Sequence, residues 1–145
     1  MQHAAAVPLS TARFLLEQGR GGDARDLLVQ AIAGGLDGAP VRSLLGLILH
    51  QLGDLSGCRR ELHRAVRLAP GDGAAEFALG SICFRLGDEA EAEAATRRAI
   101  VKGMDDLHSY LLLGRILGKQ GRFGEAEAAY RMAVRRNPSL LVAQR

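Results

Sequence analysis

A fixed 34-residue period runs through this chain and constrains its fold more than any other feature. Leu-Gly-Leu-Ile-Leu-His-Gln-Leu-Gly-Asp (45–54) returns as Leu-Gly-Ser-Ile-Cys-Phe-Arg-Leu-Gly-Asp (79–88) and again as Leu-Gly-Arg-Ile-Leu-Gly-Lys-Gln-Gly-Arg (113–122). A weaker copy, Thr-Ala-Arg-Phe-Leu-Leu-Glu-Gln-Gly-Arg (11–20), lies one period upstream. The copies span 5–38, 39–72, 73–106 and 107–140 with no insertion or deletion, leaving 141–145 over. Self-similarity at such a period belongs to architectures that stack one supersecondary unit many times.

Within a copy the unit is a pair of helices. In the last copy, Tyr110, Leu113 and Leu117 recur at helical spacing, and so do Ala126, Tyr130, Ala133 and Val134. Gly121 separates the two runs, and Gly19, Gly53 and Gly87 hold the same place elsewhere, where a helix C-terminus favours a left-handed residue. Gly34-Gly35, Pro70-Gly71-Asp72-Gly73, Gly103 and Asn137-Pro138 mark the turns between copies. No stretch alternates as a strand would, so the expected class is all-α.

The 18 glycines are too many for a chain otherwise rich in helix formers, which makes their placement informative. Gly46, Gly80 and Gly114 fall inside first helices, directly after a core leucine, with Ala12 in the same slot of the first copy. A helix-interior glycine costs about 1 kcal/mol relative to alanine. Its recurrence predicts that another helix passes close by. Ala24, Cys58, Ala92 and Ala126, and then Ala31, Ala65, Ala99 and Ala133, supply matching small residues on the second helices.

These residues resemble the tetratricopeptide repeat (TPR): a Leu-Gly pair, a glycine seven residues later, two spaced alanines and a closing proline. The last copy supplies Leu113, Gly114, Gly121, Ala126, Tyr130, Ala133 and Pro138. The large aromatic that usually opens the repeat is Tyr110 there, but Pro8, Arg42 and Glu76 in the other copies. Leu36 and Met104 replace the closing proline in two copies, and Thr11-Ala12 replaces Leu-Gly in the first. The resemblance implies an α-solenoid, a right-handed superhelix of four helix-turn-helix repeats forming a single domain, with first helices lining a concave wall.

On that wall the exposed face of each first helix is expected to carry Leu9, Arg13, Leu16 and Glu17; Ser43, Leu47, His50 and Gln51; Phe77, Ser81, Phe84 and Arg85; and His108, Leu111, Arg115 and Lys119. Large apolar groups beside cations suit a protein or peptide ligand that is apolar with some acidic groups. TPR domains that hold acidic chaperone tails use Lys and Asn on this face. Here the sole Asn is Asn137, in a turn, which argues against that ligand.

Charge places few further functions on the chain. Net charge is +3 and alternates in sign from copy to copy, so adjacent copies can attract. Second helices end in basic clusters such as Arg131, Arg135 and Arg136, and two begin acidic, complementing the helix dipole. No aromatic is interleaved with these cations for base stacking, so nucleic acid is an unlikely partner. His3, His50, His63 and His108 have no metal-ligand spacing, and Cys58 and Cys83 are expected as buried thiols. No nucleophile-base constellation or phosphate loop is present, so neither catalysis, metal nor cofactor is expected. No apolar run approaches the roughly 18–20 residues of a membrane span, and Met1–Ala12 lacks a leader pattern. With two cysteines, the expected compartment is a reducing cytoplasm.

Ser139 and the apolar Leu140-Leu141-Val142-Ala143 read as the start of a capping helix or a further repeat, a short C-terminal stub. The functional expectation is a non-enzymatic interaction scaffold that binds a peptide or protein segment in a concave groove. Two alternatives are the N-terminal substrate-positioning part of a larger bacterial enzyme, and a self-assembly module working through an uncapped C-terminal end.

Overall fold

Aspartates and glycines set the helix boundaries. Asp54, Asp72, Asp88 and Asp106 each stand just before a helix and accept backbone N–H bonds from its first turn, for example from Gly57 at 2.9 Å and from Ser109 at 3.0 Å. Such caps satisfy donors that the helix itself leaves open. The first helix of each copy closes through Gly19, Gly53, Gly87 or Gly121, whose φ values of 75°, 88°, 86° and 76° lie in the left-handed region.

The structure is a computed structural model that describes the backbone of residues 2–139 and the side chains of 7–139. It contains α1 (Gln2–Glu17), α2 (Gly21–Ala33), α3 (Ala39–Gln51), α4 (Leu55–Leu68), α5 (Gly73–Arg85), α6 (Glu89–Val101), α7 (Leu107–Lys119) and α8 (Phe123–Arg136), with no strand among the described residues. The expected stub from Leu140 onward lies outside the described residues. No described helix is long and apolar enough to cross a membrane.

The chain divides into two compact units, Met1–Pro70 and Gly71–Arg145. In the first, α1 packs on α2, α2 on α3 and α3 on α4, with α1 also touching α3. The second repeats the scheme, with α5 on α6, α6 on α7, α7 on α8, and α5 touching α7. Leu28, Ile48 and Ala65 are buried in the first core, and Leu79, Ala99, Ile116 and Leu117 in the second. Cys58 and Cys83 are buried.

Two of the three interior glycines are tightly covered by the paired helix, whereas a Cβ at Gly46 would meet Leu62 at an ordinary 3.4 Å. A Cβ at Gly114 would stand 2.6 Å from the Tyr130 ring, and one at Gly80 would collide with Thr96 Oγ1 and crowd the Ala92 carbonyl at 3.2 Å. At Gly80 the paired helix approaches with its backbone, and at Gly114 with an aromatic ring. Of the small second-helix residues, all are buried except Ala31, which is half-buried.

Candidate functional site

With one face of each first helix committed to the core through Leu45, Leu49, Leu79, Cys83, Leu113 and Leu117, the side chains one helical step round are left outside. Because α5 touches α7 inside the second unit, their outer faces lie side by side. Phe77, Ser81, Phe84 and Leu111 are half-buried on this surface, while Arg85, His108, Arg115 and Lys119 are exposed.

Its centre is Phe84. The Arg115 guanidinium carbon lies 5.4 Å from the ring centroid and Lys119 Nζ lies 5.3 Å from it, so two cations from α7 flank one aromatic from α5. Each such contact holds about 0.5–1 kcal/mol at an exposed site. Lys119 reaches a carboxylate only loosely, Glu89 at 4.0 Å. Arg115 makes no ion pair among the described residues. The result is an apolar platform edged by positive charge, suited to an apolar side chain with a carboxylate close by.

The first unit presents a plainer version. Leu9, Leu16, Ser43 and His50 are half-buried, and Arg13, Glu17, Leu47 and Gln51 are exposed on α1 and α3, which touch each other.

A second charged system was not foreseen from sequence. At the fourth position of the copies, Arg42 binds Asp37 at 2.8 and 2.9 Å and the buried Glu61 at 2.8 Å. At the same position Glu76 is buried and accepts bonds from Arg98 at 3.1 Å and Lys102 at 2.7 Å. Burial pushes the Glu76 carboxyl up, but the bonds and charges of Lys102 and Arg98 together outweigh it and hold it below its ordinary value. In the last copy Tyr110 stacks under Arg136 at 5.2 Å, and Arg136 grips Asp105 at 2.7 and 2.8 Å. Charged residues in an aromatic's slot were the available clue; apart from Asp37, their partners lie too far along the chain for sequence spacing to show.

No group of three or more metal-ligating side chains occurs among the described residues. Sequence models of the tetratricopeptide repeat match residues 9–30 with 39–64, 59–107 and 107–140. No curated protein matches the chain. Among solved structures, a MamA crystal structure superposes with a TM-score of 0.86 at 19% identity, covering 94% of this chain and 80% of that one. MamA from Desulfovibrio magneticus RS-1 gives 0.85 at 18%, covering 94% and 77%. YrrB, described as a TPR protein with an unusual peptide-binding site, gives 0.85 at 18%, covering 97% and 72%. At these identities the likeness is one of fold, and it agrees with the period, the helix pairs and the glycine contacts: the chain belongs to the tetratricopeptide repeat family.

Proposed function

We propose that the protein is a non-catalytic binding scaffold whose α5/α7 face takes a peptide segment carrying an apolar side chain next to a carboxylate. The observation that carries this reading is the Phe84 ring flanked by Arg115 and Lys119, with Arg115 lacking an acidic partner among the described residues. A ligand carboxylate would meet a charge the fold leaves uncompensated, while Phe77 and Leu111 offer apolar contact. Leu9, Arg13, Leu16, Leu47, His50 and Gln51 give the first unit a face of related character. The description of YrrB as peptide-binding supports a peptide as the ligand class for this fold.

The test is a display library of short peptides, followed by fluorescence anisotropy on the peptides enriched. Enrichment of sequences pairing Asp or Glu with a large apolar residue is expected. Phe84→Ala with Arg115→Glu should weaken their binding by at least about tenfold, since truncating anchors of this kind costs about 1–2 kcal/mol or more. Unchanged affinity in that double variant, with helicity intact, would refute the reading.

A further inference from the structure

We propose that copies of this chain associate head to tail, the α8 end of one receiving the α1 face of the next in a repeat of the α6/α7 junction. This rests on features outside the α5/α7 face and is independent of the peptide reading.

Inside the second unit, the α6/α7 junction is clasped by four charged residues. Arg122 binds Glu93 across it at 2.7 Å; Glu93 also binds Arg97 at 3.0 Å, and Arg122 binds Glu125 at 2.6 Å. Both halves of this clasp occur a second time, in the same repeat positions, at the two ends of the described chain. Glu127 pairs with Arg131 at 2.6 Å on α8, one period after Glu93 and Arg97. Arg20 pairs with Asp23 at 2.8 Å at the start of α2, three periods before Arg122 and Glu125. What these two halves lack is the bond between them.

The Arg20 slot adds weight. In the two middle copies the slot holds Asp54 and Asp88, each of which caps its helix, whereas Arg20 and Arg122 make no side-chain cap. Arg122 gives up a cap and gains Glu93. A matching return for Arg20 requires a Glu93 equivalent, and the second such glutamate on the repeat register is Glu127. The first unit's own α2/α3 junction also carries opposite charges in these two slots, reversed as Arg25 and Asp54.

Covered and open positions correspond as well. Ser109 and Ile116 of α7 are 0% exposed, while their counterparts on α1, Val7 and Phe14, are 69% and 58% exposed. On the receiving side, Ile100 of α6 packs against Leu113, Leu117, Ala126 and Ala129, whereas its counterpart on α8, Val134, borders open space. Tyr130, Phe123 and Val134 help to line an open hollow of about 620 Å³ at the α8 end. An apolar hollow with a Glu127 edge and an apolar ridge with an Arg20 edge are the two sides of one junction, which makes a second copy the occupant. The contact is heterologous, so association is open-ended unless the rotation closes a ring.

Sedimentation velocity and light scattering on the full 145-residue chain test the proposal. Mass should rise with concentration from the micromolar range upward. Arg20→Glu and Glu127→Arg should each weaken association by about fivefold to tenfold. An equimolar mixture of the two variants should restore it, because every junction between unlike variants again joins a cation to a carboxylate. Phe14→Arg should leave only monomer while circular dichroism stays unchanged, the side chain being exposed. Phe84→Ala should have no effect, separating this contact from the peptide face. A monomer at every concentration overturns the proposal, and so does association indifferent to the Arg20, Glu127 and Phe14 changes.

Discussion

Single side chains at the fourth position of each copy show how one slot accommodates different chemistry. An aromatic fills it by area; Arg42 and Glu76 fill it by ion pairs whose partners come from the adjoining helix or loop. Buried pairs of this sort rarely exceed an apolar replacement in stability, and breaking one side is costly. Glu76 Oε2 has no hydrogen-bond partner among the described residues, which adds to the burial cost. Since the Glu76 pKa is lowered in the folded protein, its contribution is present above the unfolded value near pH 4.3 and is lost as pH falls through the folded value. Stability measured by urea titration should therefore drop below about pH 4. Glu76→Gln should lower stability by about 1–2 kcal/mol at pH 7 and flatten part of that acid limb. At Gly80, alanine gains about 1 kcal/mol of helix propensity but meets Thr96 and the Ala92 carbonyl. Net destabilisation of about 1–2 kcal/mol is expected in thermal unfolding, with Thr96→Ala recovering part of it. The small slots were legible in the sequence because they recur each period. The ion pairs were not, because 22 to 31 residues separate Glu76 from Arg98 and Asp105 from Arg136.

At the level of the helices, aspartate caps and left-handed glycines divide the chain, and the periodicity assigns each helix a buried stripe. Asp106 caps α7, the helix that presents Arg115 and Lys119 to Phe84. Asp106→Ala should cost about 1 kcal/mol in chemical unfolding, and Asp106→Asn should cost far less, since Asn caps nearly as well. Fraying of α7 begins at its N-terminus, so peptide affinity should change less than stability does. Spacing alone singled out the outer faces of α5 and α7, on which Phe77, Ser81, Phe84 and Leu111 are half-buried and Arg85, His108, Arg115 and Lys119 exposed. What spacing did not give is the pairing of Phe84 with both cations of α7, which depends on how far apart the two helix axes lie.

On the scale of the molecule, association and stability are linked. A partner that binds only folded chains stabilises them by mass action, so the melting temperature should rise with protein concentration if copies join through α1 and α8. Arg20→Glu should remove most of that dependence, while salt should weaken it, because the Arg20 clasp is exposed and screened. Differential scanning calorimetry over a hundredfold concentration range would show both effects. Sequence by itself determined the period, the paired helices of the described residues, their turns and the close contacts at Gly80 and Gly114. Those features follow from backbone geometry and local residue size, which every copy states again. Tertiary structure alone decided which equivalent positions stay open, leaving Phe14 exposed where Ile116 is covered, and which distant charges meet. Burial and ion pairing depend on what lies across a junction, and that neighbour is set by packing, not by the order of residues along the chain.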